Sequence, residues 1–458
     1  MLAIVVSRAD SASVHIGDHL LDLADWEAVE DGSRPDSEGG GTVYEIDGAR
    51  LREFDERHLD MQRPAEAFEE PTLLVFASRH AGETGPLLTA HHTGNFGPAD
   101  HGGEPNDLAR ACPNAHARVL EALTEHAPEG YDVGLECTHH GPSTVGTPSM
   151  FVEVGSTERE WEDPAAARAV ARAILDLRGV VPDRQPENGE RSRRHLVGFG
   201  GGHYAPRFER VIRETDWTVG HIAADWGLAA MADLDTPESE GVLEQAFEQS
   251  RAAYALVDGD RPEVVAAVER LGYRAVSETW VREADGIPLG FVERVEDAVT
   301  TVEDGLRFGD RAQTVTDAGR EFVVESIPAD LLDEARGIDR EATTQHVVET
   351  TLAFGTDQGG TRVAGPVVLD NVAERDAVID GLVDVLHQRY DTIEREADAI
   401  LAREQVFDPE RAKTLGIPEG PAFGKLSSGQ AVEVGGERIP PEVVQEERER
   451  RFSLESEG

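Results

Sequence analysis

The sequence predicts an α/β protein: a three-layer sandwich around a mostly parallel sheet, with an α+β extension after it. Two observations carry this expectation. Up to about residue 295, short apolar runs alternate with helical patterns, the order found when helices cover both faces of a parallel sheet. With 458 residues, 39% of them hydrophobic, the chain is long enough for two or three domains with a sizeable core.

Apolar runs bounded by turn residues place strands at 2–6, 73–77, 87–90, 131–136, 151–154, 195–199 and 218–223. One helix follows Pro113, with Val119, Leu120 and Leu123 on one face. Another starts with Asp163 as N-cap and Pro164 in the first turn, then repeats apolar residues at Val170, Ile174 and Leu177. Stretches 31–41, 182–193 and 232–241 are rich in Gly, Pro, Ser and acid without apolar period, and read as loops or insertions. Residues 296–445 read as a C-terminal extension, with a periodic helix over 382–401 and a compact segment at 415–444. Residues 446–458 read as a charged, solvated tail.

Asp and Glu number 90 against 43 Lys and Arg, for a formal charge of -47, and only Lys413 and Lys425 are lysines. The acids are spread along the whole chain, the pattern of a surface adapted to molar salt, where the Debye length falls to about 3 Å. Folding and activity are therefore expected to need molar salt; full activity and a sharp unfolding transition in dilute buffer would contradict this. Screening also removes net charge as an argument against a nucleic-acid partner, although arginines would still have to touch phosphates. No apolar run approaches the ~20 residues of a membrane span, and MLAIVVSRAD lacks the features of a signal peptide, so a soluble, cytoplasmic protein is expected. Cys112 and Cys137 are too few for a disulfide scaffold.

Histidine carries the chemistry. Eight of the 16 histidines lie between His80 and His140. His91-His92 and His139-His140 are doublets that each follow a predicted strand, and His80 and His203 follow two others. Ligands of open α/β sheets bind beyond the carboxyl ends of strands, so the four loops are expected to converge there. Imidazoles, Glu136 and Cys137 are competent zinc ligands, and Cys137 reads equally well as a buried small side chain. His116 and His126 read as ordinary helix residues. Gly198-x-Gly200-x-x-His203 lacks the third glycine of a dinucleotide fingerprint, and no P-loop or G-x-S-x-G elbow is present.

TAHHTGNFG, LECTHHGP and GFGGGHYAP, in that order after LAIVVSRAD, resemble the archaeal and plant type of D-aminoacyl-tRNA deacylase over residues 1–295. The resemblance implies a zinc-dependent cytoplasmic hydrolase with a fold like phosphorylases and peptidyl-tRNA hydrolases. It implies a substrate too: the ester between a D-amino acid and the 3′-terminal adenosine of tRNA. The acidic insertions and the extension depart from the family's compact form. The segment GIPEGPAFGKLSSGQAV resembles part of the tRNA 3′-processing endonucleases, without their metal motif.

On that reading His91, His139 and His203 are ligand or base candidates, Glu136 an orienting group or base, and Asn95 an oxyanion or amino-group contact. The candidate metal ligands are His80, His91, His92, His139, His140 and His203. Thr93, Gly94, Gly141, Gly200, Gly201 and Gly202 would meet the terminal adenosine. The protein is expected to work as a monomer with no membrane partner. Two other readings stay open: another metal-dependent ester hydrolase or nucleoside-phosphorylase-like enzyme, and a catalytically silent tRNA-binding module.

Overall fold

Leu2–Ser7 (β1), buried along its whole length, is the kind of strand that needs neighbours on both sides and cover on both faces. In this computed structural model, which describes residues 1–186, 193–231 and 233–454, it has both. It lies inside an eight-stranded, mostly parallel sheet with Glu27–Asp31 (β2), Gly41–Ile46 (β3), Ala49–Phe54 (β4), Leu73–Arg79 (β5), Leu87–His91 (β6), Asp132–Leu135 (β7) and Ser149–Gly155 (β8). The order is β2-β3-β4-β1-β5-β8-β6-β7. β4, β1, β5 and β8 run parallel, whereas β6 runs antiparallel to β8 and parallel to β7. A second sheet of His195–Phe199 (β9), Thr218–Ala223 (β10), Tyr254–Val257 (β11) and Arg274–Val276 (β12) is parallel throughout, in the order β10-β9-β11-β12.

Residues just after β7 bridge the two sheets. Glu136 pairs with Tyr204, Cys137 N–H donates to His203 O at 2.9 Å, and Thr138 N–H donates to Ile222 O at 2.9 Å. The covering helices follow their sequence signals. Asp163 accepts from Ala165 N–H to cap Pro164–Leu175, and Asp10 accepts from Ala12 and Ser13 N–H to cap Ser11–Leu23. Pro113–His126 buries Val119, Leu120 and Leu123.

The chain divides into two compact units, 1–285 and 286–458. The sequence placed this boundary near 295, ten residues later, inside the helix Leu289–Ala298, whose Phe291 packs on Phe322 of the second unit. In that unit Leu306–Phe308 (β13), Val323–Ser326 (β14), Ala353–Asp357 (β15) and Arg362–Leu369 (β16) form an antiparallel sheet. Thr392–Arg395 (β17), Ala399–Phe407 (β18) and Gln445–Ser453 (β21) form another. Val432–Val434 (β19) and Glu437–Ile439 (β20) make a small hairpin between β18 and β21.

Three expectations fail here. The helix over 382–401 ends at Leu386, and its second half becomes the β17–β18 hairpin, which buries Ile400 and Ala402. The spacing of Leu382, Leu386 and Tyr390 continues past the end of the helix because Tyr390 enters the same core from a turn. The described part of the tail is almost all β21: Phe452 is buried, Arg403 pairs with Glu449 across the strands, and Arg451 pairs with Asp398 just before β18. In the 232–241 stretch, Thr236 caps the helix Pro237–Ser250. Residues 187–192 and Ala232 of the expected loops lie outside the described residues. Among the described residues no helix is long and apolar enough to cross a membrane.

Candidate active site

β8 reads SMFVEVG, buried at every position, and Glu153 is its one acid. Phe151 and Glu153 share a face; opposite them stand His91 and Thr89 of β6, and Phe76 and Ser78 of β5. His80 follows the carboxyl end of β5, and His91 ends the antiparallel β6. The two therefore start from opposite ends of the strands that flank β8. Both rings approach the same carboxylate, Glu153, over the sheet face, and not in a crevice beyond the carboxyl ends. His80 Nδ1 lies 3.9 Å from Glu153 Oε2, and His91 Nε2 lies 3.9 Å from Glu153 Oε1.

Glu136 enters from the segment that bridges the sheets. Its Oε2 accepts from His203 Nε2–H at 2.6 Å and lies 3.8 Å from His139 Nε2, while Oε1 lies 3.5 Å from His80 Nδ1. His80 Nε2 is 2.9 Å from the Tyr204 hydroxyl. The rings of His91, His139 and His203 follow one another at 4.4 Å, and His140 lies 4.6 Å from His91. His80, His139, His140, Phe151, Glu153 and His203 line a cavity of about 350 Å³.

Burial by itself would raise the Glu136 carboxyl, but the His203 N–H and the imidazoles of His91, His139 and His80 hold it well below the usual carboxylate range. Glu153, wholly buried, is pushed up. Burial opposes the charging of His91, yet Glu153 and Glu136 outweigh it and raise its pKa. Burial and neighbouring imidazoles push His139 and His140 well below the ordinary value, so both are neutral near pH 7.

This donor set fits a metal ion. His91, His139 and His140 each donate Nδ1–H to a backbone carbonyl, of His92, Cys137 and Gly141 at 2.9, 2.9 and 2.8 Å. That places a proton on each Nδ1 and leaves Nε2 as the atom that can offer a lone pair from the neutral ring, the arrangement metal-ligating histidines use. One ligand atom from each of the three lies within 4.8 Å of the others, and His91 Nε2 is buried without a hydrogen-bond partner. Cys137–His139–His203, His80–Glu136–His203 and His91–Glu136–Glu153 are grouped as closely.

His92 turns the other way, because successive strand residues face opposite sides. Its Nδ1–H donates to Gly220 O at 3.0 Å, and its ring packs 4.4 Å from His116 and 5.7 Å from His221. The Thr138 hydroxyl donates to His221 Nδ1 at 3.0 Å, while His221 Nε2–H donates to Ala109 O at 2.7 Å. β10 thus fastens both histidine doublets from behind, and His116 belongs to this buried cluster.

Asn95 also leaves the cavity: its side-chain amide donates to Gly102 O at 2.9 Å and Glu104 O at 3.1 Å, closing a loop. Thr93 is buried with its hydroxyl unpartnered. Gly94, at φ 138°, is pressed against Leu108, and a Cβ there would meet its Cα at 2.7 Å. Gly141 is pressed against the Gly102–Gly103 backbone, and Gly200 against Asp258 O. These three glycines serve the chain's own packing. Gly201 approaches the Asp258 carboxylate, and Gly202 is exposed, where a Cβ would meet only Tyr204 O, at 3.8 Å. Glu153 and Tyr204 did not stand out in the sequence. The signal for Glu153 was there, a lone acid inside an apolar strand.

A family model described as D-aminoacyl-tRNA deacylase matches residues 67–276. A protein of Haloarcula marismortui named D-aminoacyl-tRNA deacylase is 58% identical, over 99% of this chain and 100% of its own. One of the same name from Halorubrum lacusprofundi is 52% identical, over 100% and 97%. A solved structure, described as a conserved protein of unknown function, is 31% identical with a TM-score of 0.54, covering 62% of this chain and 98% of that one.

Proposed function

The chain belongs to the D-aminoacyl-tRNA deacylase family, and from that premise we propose that it hydrolyses the ester of D-aminoacyl-tRNA, releasing free D-amino acid and tRNA. The histidine–carboxylate cluster of the first unit is the site in this reading. The observation that carries it is the His203–Glu136 bond beside three imidazoles whose Nδ1–H groups are held by backbone carbonyls.

Ester hydrolysis needs a proton taken from water and a proton given to the leaving 3′-oxygen. With Nε2–H committed to the buried Glu136, His203 Nδ1 is the acceptor; it takes the water proton, and the carboxylate steadies the imidazolium. The same ring then returns the proton to the 3′-oxygen. Zinc held by His91, His139 and His140 would supply a Lewis acid and a bound water of lowered pKa. His80, engaged by Tyr204 and beside Glu136, holds the carboxylates in place. Gly202, exposed and uncrowded, lets the backbone meet the terminal adenosine. Chirality would be enforced by exclusion, in a pocket that fits a D-side chain and clashes with its L-isomer. The first unit is, in this reading, a three-layer sandwich of the phosphorylase and peptidyl-tRNA hydrolase kind, working in the cytoplasm.

The test is deacylation of D-tyrosyl-tRNA beside its L-isomer in molar salt. Turnover of the D-ester alone is expected, with no action on free nucleosides; equal rates on both isomers would remove the chiral function. Chelation is expected to lower turnover at least 10²-fold, with zinc restoring it, and elemental analysis should find bound metal. A metal-free protein indifferent to chelator would refute the zinc assignment.

A further inference from the structure

Acid is placed almost everywhere in this sequence, so the stretches that lack it are informative. Runs of more than twelve residues without Asp or Glu occur at 84–99, 108–120, 137–152, 191–208 and 420–432. Three of these hold the histidine motifs. The run 108–120 begins before and then largely forms the helix Pro113–His126, whose inner face is buried in the core. The run 420–432 belongs to neither class. It includes the short helix Pro421–Ser427, and Gly420, Pro421, Gly424, Lys425, Ser427, Ser428, Gly429 and Gln430 are exposed.

This face is part of a small module between β18 and β21, whose paired ends are Phe407 and Gln445. The module has its own core of Ala412, Ile417, Leu426, Val432 and Val444. Both lysines of the chain lie on it. Lys413 is held by Glu410 and Glu419 at 2.8 and 3.1 Å. Lys425 is exposed and makes no ion pair among the described residues.

In molar salt the reach of a charge is about 3 Å, so distant carboxylates neither repel nor steer a polyanion. Only groups that touch phosphate matter, and selection against acid is confined to the surface of contact. We infer that the exposed face of residues 420–432, centred on Lys425, is a contact surface for the phosphate backbone of tRNA, additional to the histidine site. The inference rests on the proposed action on tRNA. It adds a place on the second unit where the body of that substrate is held.

The experiment measures binding of uncharged tRNA by the whole protein as a function of KCl, for the wild type and for Lys425→Glu, Ser427→Glu, Ser428→Glu and Lys413→Glu. These positions are exposed, and thermal unfolding checks each fold. Lys425→Glu and Ser428→Glu are expected to weaken binding about tenfold, and Lys425→Glu to flatten the salt dependence by about one phosphate contact. Ser427→Glu should follow them if either of the others is unstable. Lys413→Glu makes the same change in net charge at an already paired position and should cost less than twofold. Wild-type binding by the Lys425 and Ser428 variants overturns the inference, as does an equal loss in the Lys413 variant. Deacylation of D-tyrosyl-tRNA is followed in parallel. Hydrolysis with unaltered tRNA binding refutes the surface alone. Loss of tRNA binding in the variants of a protein that hydrolyses nothing refutes the hydrolytic reading and leaves the surface standing.

Discussion

Replacing His203 by alanine is expected to lower turnover of D-aminoacyl-tRNA by about 10²–10⁴-fold while leaving the fold intact, because it removes the group assigned to carry the proton. The ring is about one-third exposed, and its hydrogen bond to Glu136 is the polar link that orients it. Glu136→Gln should lower turnover too, since a neutral amide no longer steadies the imidazolium. His91→Ala and His139→Ala remove assigned metal ligands, and their loss of activity should come with loss of bound metal, a readout His203→Ala should leave unchanged. His126, paired with Asp176 at 2.7 Å on the helix Pro113–His126, is the control. His116 cannot serve as one, because it is buried against His92 and its loss would disturb the backing of the site. Wild-type turnover by the His203, His91 and His139 variants, each shown to be folded, would sink the site assignment. Equal loss in the His126 variant would mean instability.

Acid should unfold the protein well before its surface carboxylates are neutralised. Burial depresses His58 to about 3 and His116, His195 and His221 to about 4. These rings stay neutral in the folded chain, whereas the unfolded chain protonates them below about 6.5. Between about 4 and 6.5 the unfolded state therefore binds more protons, and stability rises with pH across that window. It is lost as pH falls below 6.5, at about 1.4 kcal/mol per histidine per pH unit. Four such groups together approach the ~5–15 kcal/mol of a whole domain. Urea unfolding at constant molar KCl should show the loss beginning near pH 6.5. A free energy of unfolding that stays flat from pH 7.5 to 5 would contradict it.

Much of the site was legible because its parts are short-range. A histidine doublet, a glycine turn and a strand ending are neighbours in sequence, and Asp163 with Pro164 announces a helix from two adjacent residues. The alternation of strand side chains, carried one residue past the end of β6, also separates His91 from His92. Asn95 was harder. Its bonds to Gly102 and Glu104 depend on how the following loop closes.

The sequence by itself determined the family, the α/β class of the first unit, the strands carrying the histidine motifs and the acidic character of the surface. Each of these rests on composition, local period or motif order, which a chain carries before it folds. Only the tertiary structure decided that β6 turns antiparallel to β8, and so that His80 and His91 approach one carboxylate from opposite strand ends. It also made Glu153 the acid between them, turned His92 toward β10, and paired the charged end of the chain with β18. Strand direction and pairing are set by contacts between segments far apart in sequence. An isolated strand bears no mark of which neighbour it will find or which way that neighbour will run.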